Sequence, residues 1–293
     1  MKITVFGGAG FLGSHVCDKL SDAGHSVSIF DLVKSKWLRP DQTMLIGNIL
    51  DVGAVEKAIL GTDIVFNYAG IADLEEAMNK PRETVEVNIL GNTNILEACR
   101  ESNVKRYIFA STIYVYSQHG GFYRCSKQAS ESYIENYYQQ YGLEYTILRY
   151  GSLYGTRSDK NNPIYRFIDG AVKNNKMTYG GNPESLREYI HVEDAATASV
   201  EMLDGKYSNE NIILTGHQAM RVKDLLHMIQ EILGKDIELE YRKEKSLAHY
   251  DVTPYSFAPK VGKKYAAPLH IDMGQGLIEL IEEYSNKSYL KKS

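Results

Sequence analysis

KITVFGGAGFLGSHVCDKL, residues 2–20, is the stretch that decides the fold. An apolar run suited to a buried strand (2–6) leads straight into Gly7, Gly8, Gly10 and Gly13. A helical segment follows from residue 11. The glycines satisfy G-x-G-x-x-G at 8, 10 and 13 and also G-x-x-G-x-x-G at 7, 10 and 13. A glycine motif alone says little. Between a strand and a helix, at the start of a βαβ unit, it reads as a phosphate-binding turn. The glycines let the chain turn tightly and let its backbone approach a pyrophosphate, and the helix N-terminus adds N–H groups and positive potential. Gly7, Gly10, Phe11, Leu12 and Gly13 are therefore candidate contacts to a dinucleotide. A ligand-free glycine turn is the plainer alternative.

Outward from this turn, short apolar runs at 2–6, 26–30, 43–46, 63–67, 105–110 and 144–149 alternate with helical segments near 11–23, 52–60, 81–102 and 123–141. That alternation predicts an α/β fold, a doubly wound parallel sheet with helices on both faces. After about residue 155 the pattern becomes irregular. Further helices are expected at 163–175, 193–204, 222–233 and 273–285. The expected division is a dinucleotide-binding domain over 1–155, rejoined by 188–215, and a smaller α/β substrate-binding region over 156–187 and 216–293.

Asp31 ends the second strand run, 18 positions after Gly13. A carboxylate there accepts hydrogen bonds from ribose hydroxyls and repels a 2′-phosphate, which favours NAD over NADP. Lys34 and Lys36 lie close enough to soften that preference, and a turn cap is the alternative reading of Asp31.

Composition excludes several classes. The chain of 293 residues is 43% hydrophobic and 24% charged with a net charge of −4, so it lacks the polybasic footprint of a nucleic-acid binder. No apolar run is long enough for a membrane span, and the start resembles no signal peptide. Three separated cysteines show no metal-ligand spacing. A reduced, cytoplasmic protein without a metal is expected.

The chemistry gathers in ASTIYVYSQHGGFYRCSKQASE, residues 110–131. Tyr123 and Lys127 stand four apart on one helix face. An ammonium beside a phenol is expected to lower the phenol's pKa, making Tyr123 a general acid or base toward an alcohol or ketone. Ser111 and Thr112 close the fifth strand, where a doubly wound sheet faces its ligand. Y-x-x-x-K alone arises often by chance; beside a glycine turn and a strand-terminal Ser-Thr it reads as a site.

The motifs GGAGFLG (7–13), FNYAG (66–70), VNILGNTNILEAC (87–99), FASTIYVY (109–116), YRCSK (123–127), LRYGSLYGTR (148–157) and REYIHVEDAA (187–196) occur in order. With them the chain resembles an extended short-chain dehydrogenase/reductase of the nucleotide-sugar epimerase and dehydratase family. The resemblance implies NAD as cofactor and a nucleotide sugar as substrate. Thr112 would be the hydroxyl partner, Tyr123 the acid/base and Lys127 the ligand of the nicotinamide ribose, with Asn88 in support. Asn48 and Ile49 would lie near the adenine, and Tyr68, Ala69 and Gly70 along the cofactor. Ser111, Tyr114, Ser152 and Arg187 would meet the substrate, Arg187 at its diphosphate. The helices around 88–102 and 129–141 resemble the family's four-helix-bundle dimer surface, so a homodimer or larger homo-oligomer is expected. A place in surface-polysaccharide biosynthesis is a family-level implication.

The departures narrow the chemistry. The segment between Thr112 and Tyr123 is short for the family, and Gly120-Gly121 lets it turn back sharply. The family's 4,6-dehydratases carry an Asp-Glu pair after the threonine, and its decarboxylases a glutamate; Ile113 and Tyr114 stand here. Redox at sugar C4 remains, as an epimerase, a net dehydrogenase or a 4-keto-sugar reductase. Asn48 replaces a frequent Asp, Ser152 a frequent Asn, and Ala72 a basic residue of some epimerases. His191 reads as structural. A non-catalytic dinucleotide sensor is the rival class, and it has no need of Thr112, Tyr123 and Lys127 together.

Overall fold

The apolar run before the glycines becomes β1 (Lys2–Phe6), buried from Ile3 onward. A computed structural model describes residues 1–217, 219–242, 251, 252 and 254. The expected helix at 273–285 and much of the expected 216–293 region lie outside the described residues. The chain continues through α1 (Phe11–Asp22), β2 (Ser26–Asp31), β3 (Gln42–Ile46), α2 (Val52–Ile59), β4 (Ile64–Asn67), α3 (Leu74–Asn79), α4 (Pro81–Val85) and α5 (Asn92–Glu101). Then come β5 (Arg106–Thr112), α6 (Gly121–Tyr141), β6 (Glu144–Tyr150), β7 (Ser152–Tyr154), α7 (Pro163–Asn174), β8 (Lys176–Gly180) and β9 (Leu186–His191). α8 (Val192–Glu201), β10 (Glu210–Leu214), β11 (Ala219–Arg221), α9 (Val222–Leu233) and β12 (Glu238–Arg242) complete the described elements.

Seven strands form one parallel sheet in the order β10-β6-β5-β4-β1-β2-β3. α2, α5 and α6 cover one face with Val55, Ile59, Ile95, Leu96 and Ile134. α1 and α8 cover the other with Val16, Leu20, Val192 and Ala196. Both faces are thus buried, as a doubly wound parallel sheet requires. Two small sheets, β11-β9-β7 and β12-β8, lie where the sequence located no individual strand, although a smaller α/β region was expected there. β8 and β12 build a separate core with α7 and α9 around Phe167, Met177, Leu226 and Ile229, whereas Leu153 of β7 and Ile190 of β9 pack with the α1–α8 side of the large sheet. The described residues all fall within one compact unit, Met1–Ala258.

The expected helix at 81–102 is not continuous. Pro81 starts α4 as its first residue, and a π-helical segment, Glu86–Gly91, separates α4 from α5. Ser130 and Thr93 hydroxyls donate to the Asn88 and Ile89 carbonyls, each at 2.8 Å, so the carbonyls of this wider turn are satisfied by side chains. Gly91 fits under Ile49, whose side chain lies 2.5 Å from where a Cβ would stand.

The glycine turn is sterically fixed. Gly7 has φ +75°, and a Cβ on it would lie 2.5 Å from the Ala69 nitrogen. A Cβ on Gly13 would lie 2.3 Å from the Gly7 carbonyl oxygen. Gly13→Ala should therefore push α1 off β1 and lower unfolding stability by about 1–3 kcal/mol or more. Urea denaturation measures the loss; a stability within error of the parent would contradict this packing.

Candidate active site

Parallel strands present all their C-terminal ends at one edge, and the strand order reverses beside β1 and β4. Such an edge is where an open α/β sheet places its ligand. β1 delivers the glycine turn there. Gly10 precedes α1 and has no side chain to cap it, so the N–H groups of Phe11 and Leu12 remain available to an anion. The Leu12 side chain is buried among the α1–α8 core residues, so it is the Leu12 backbone that faces the turn. β2 delivers Asp31, whose Oδ2 accepts a hydrogen bond from the Ala9 nitrogen at 3.0 Å. The carboxylate is thereby held over the glycine turn. A glycine cradle with an uncapped helix start and a fixed carboxylate beside it fits a dinucleotide.

The end of β4 is held by its neighbours. The Ala69 nitrogen donates to Asn67 Oδ1, and Gly70 lies close to both Asn88 and the Lys127 ammonium. Tyr68 touches the glycine turn through its backbone. Its ring stacks on Phe66 and its hydroxyl meets that of Tyr150, so burial pushes its pKa well up. Asn48 is exposed and caps its own turn through the Leu50 nitrogen, while Ile49 is buried against Gly91.

Thr112 ends β5, and α6 returns Tyr123 and Lys127 to it. The Tyr123 phenol shares a hydrogen bond with Thr112. Lys127 Nζ donates to the Ala110 carbonyl at 2.7 Å, and sits 4.5 Å from the Phe109 ring centroid and 5.9 Å from that of Tyr123. Asn88, in the π segment, accepts from the Ile71 nitrogen and donates to the Ile71 carbonyl and to Ser126. Ser126 in turn donates to the Tyr123 carbonyl at 2.8 Å. Asn88 thus ties the 70–71 backbone to the first turn of α6.

Two expectations need correcting. The phenol is not lowered: burial pushes Tyr123 up to about 12, against the opposing effect of its Thr112 hydrogen bond. Lys127 is itself desolvated, and burial lowers it to about 8. Ser111 does not face the ligand edge with Thr112. Neighbouring strand residues point to opposite faces, and the buried Ser111 hydroxyl donates to Glu131 at 2.5 Å.

The short 113–120 segment closes through a 3₁₀ turn, Ile113–Tyr116, and a left-handed Gly120 with φ +97°. The Tyr114 ring packs where a Gly120 Cβ would stand, with its centroid 6.5 Å from that of Tyr123 and edge-on to it. Ser152 starts β7, just past β6. The pairing of Ser152 with Tyr189 puts Ser152, Tyr189 and Arg187 on one face of the small sheet. Arg187 is buried and donates to the Leu186 carbonyl. Nearby on the same loop, Glu184 pairs with Lys223 at 2.5 Å and with Arg221 at 3.5 Å. His191 caps α8 by accepting from the Glu193 nitrogen. Among the described residues no cluster of His, Cys, Asp or Glu is placed to hold a metal, and no helix is long and apolar enough to cross a membrane.

A model of the NAD dependent epimerase/dehydratase family matches residues 3–214. The chain belongs to this family. It is 30% identical over 264 residues to a putative UDP-glucose 4-epimerase of Methanocaldococcus jannaschii, covering 83% of this chain and 86% of that one. A UDP-N-acetyl-alpha-D-glucosaminuronate decarboxylase of Bacillus cytotoxicus is 29% identical over 83% of this chain and 84% of its own. Among solved structures, the Thermus thermophilus UDP-glucose 4-epimerase in complex with NAD superposes with a TM-score of 0.79 at 26% identity, over 90% of this chain and 95% of that one. The fold is that of an extended short-chain dehydrogenase/reductase, and the cofactor is NAD.

Sequence reasoning passed over Glu131, Arg149, Tyr116 and Ser126. Only the recurrence of Tyr123, Lys127 and Glu131 every four residues along one helix face could have flagged the glutamate.

The Lys127 shift has a consequence for stability. Its folded value, about 8, lies below the ordinary 10.5. Between the two the unfolded chain holds a proton that the folded protein lacks, so unfolding free energy rises with pH. Tyr123 is shifted upward and takes effect only above its ordinary value of 10. From pH 8 to 10 the parent should therefore gain about 2 kcal/mol over Lys127→Met. Parallel stability–pH curves for the two proteins would rule out a desolvated lysine.

Proposed function

We propose that this chain is a nucleotide-sugar 4-epimerase that oxidises and re-reduces its substrate at sugar C4. The observation that carries the reading is the Thr112–Tyr123 hydrogen bond with Lys127 buried one helical turn behind, all at the edge where the glycine turn and Asp31 converge. Bound NAD would act as two-electron acceptor and donor. Gly7, Gly10, Gly13 and the Phe11 and Leu12 nitrogens would hold its pyrophosphate, Asp31 its adenosine ribose, Lys127 its second ribose, and Asn48 and Ile49 would border the adenine. The Ala69 and Gly70 backbone would run alongside it.

Tyr123 would hold and move the proton at the C4 oxygen, and Thr112 would orient that oxygen. With its pKa near 12 the phenol is protonated at neutral pH, the form that donates to a ketone. Its basic form needs positive charge beside it, and the Lys127 ammonium is the side chain placed to supply it. Arg187 would pair with the diphosphate of the nucleotide sugar, with Ser152 and Tyr114 toward the sugar. Asn88 is a positioning residue. One relative is a decarboxylase, yet residues 113–120 (IYVYSQHG) hold no carboxylate for elimination or decarboxylation chemistry. The reaction class that these side chains serve is proton transfer coupled to redox.

We further assign the outer face of α5 and α6 to a homodimer. Tyr133 and Tyr141 are exposed there around a shallow hollow that Tyr137 and Asn136 help to line. Light scattering at micromolar concentration should give twice the chain mass of 33.1 kDa; a monomer would refute the assignment.

Tyr123→Phe keeps the ring and removes the proton carrier, so UDP-sugar turnover should fall by roughly 10²–10⁴-fold while NAD binding persists. Unchanged turnover would remove Tyr123 from the mechanism. The dinucleotide released on denaturing freshly purified protein should be NAD⁺ in near-stoichiometric amount, as an enzyme that regenerates its cofactor within each cycle requires. Stoichiometric NADH would point to a net dehydrogenase instead.

A further inference from the structure

Behind the proposed Tyr123–Lys127 pair lies a second buried ionic group. Glu131 is 7% exposed and follows Lys127 by one helical turn on the same face of α6. Arg149 of β6 binds it through a fork of two hydrogen bonds, Nε to Oε1 at 3.0 Å and Nη2 to Oε2 at 2.7 Å. Ser111 of β5 donates to Oε1 at 2.5 Å, and Arg149 reaches on to the Tyr116 hydroxyl at 2.5 Å. The carboxylate therefore joins β5, β6, α6 and the 3₁₀ turn at one point. A carboxylate with three donors cannot swing away, and its charge is fixed in a place from which water is excluded.

We infer that Glu131 is a positioning residue for the reaction, a fixed buried counter-charge that sets the charge state of Lys127 and thereby the proton affinity of Tyr123. This rests on the reading of Tyr123 and Lys127 given above. The groups facing Lys127 leave no other candidate among the described residues. Its own helix presents Tyr123 and Glu131, and β5 presents the Ala110 carbonyl and the Phe109 ring. The 70–71 loop and the π segment present the uncharged Gly70 and Asn88. Arg149 of β6 approaches through Glu131. Glu131 is also the group that opposes the lowering of Lys127 by burial. An ion pair this deeply buried is a poor source of stability against an apolar pair of equal volume, so a role in setting charge gives a reason for its presence that stability does not.

The test reads Lys127 directly. In protein carrying ¹³C-labelled lysine, the Lys127 ε-carbon resonance is assigned by its loss in Lys127→Met and titrated against pH. Glu131→Gln keeps the shape and removes the charge. Because it strips Arg149 of its partner and can cost folding, the double variant Glu131→Leu/Arg149→Met is measured beside it, replacing the pair with apolar side chains. Both variants should titrate Lys127 at a pH lower than the parent by roughly one unit or more. The alkaline limb of the kcat–pH profile should move with it, a displacement that mere loss of packing does not produce. A Lys127 midpoint unchanged in the folded double variant overturns the inference and leaves the role of Lys127 standing. A shifted midpoint with Lys127→Met fully active overturns that role instead, and the positioning function with it.

Discussion

Lys127 carries an ammonium to a position with 5% of its surface exposed, where the Ala110 carbonyl accepts one N–H and the Phe109 ring covers another side. Desolvating such a group disfavours its charge, and the neighbouring structure is arranged around that cost. The carbonyl at the end of β5 fixes where α6 must lie. The Asn88 side chain, reached through the π segment, ties the first turn of α6 to the 70–71 backbone. Glu131 returns negative charge one turn away, and Arg149 and Ser111 hold it there. Tyr123 and Thr112 meet because the helix that buries the lysine has nowhere else to begin.

The parallel sheet makes this geometry possible. All of its strands end at one edge, so the glycine turn after β1, Asp31 at the end of β2, and Thr112 with Tyr123 and Lys127 gather on that side. The glycines act by exclusion. Any side chain at Gly7 or Gly13 would occupy space already filled by backbone, and the approach of β1, α1 and the 68–70 segment depends on that space. The shortened 113–120 segment follows the same rule at Gly120, where the Tyr114 ring takes the place of a Cβ.

Six of the seven strands of the large sheet were legible because they are continuous apolar runs separated by helical periodicity, and their ends lie within two residues of those expected; β10 was not located. The same property hid Ser111. A strand buried on both faces shows no alternation of polar and apolar residues, so nothing in FAST tells which hydroxyl meets Tyr123 and which meets Glu131. Spacing placed Tyr123 and Lys127 on one helix face, as the structure has them. It said nothing of burial, and burial reverses the expected direction of the phenol's shift. The break at Glu86–Gly91 escaped because a π segment depends on partners in α6, namely Ser126 and Ser130, which lie about forty residues away in sequence. The short strands β7, β9 and β11 pair with segments remote from them, and three- to six-residue strands carry little periodic signal.

Thr112, Tyr123 and Lys127 are proposed to serve reversible redox at one sugar carbon, with the cofactor regenerated in every cycle. The most direct test of this role is a UDP-hexose deuterated at C4, incubated with the protein and a stoichiometric amount of NAD. The expected product is a C4 epimer that keeps its deuterium, with no net gain in absorbance at 340 nm. Steady accumulation of NADH with an oxidised sugar, or loss of the deuterium to solvent, would contradict that role.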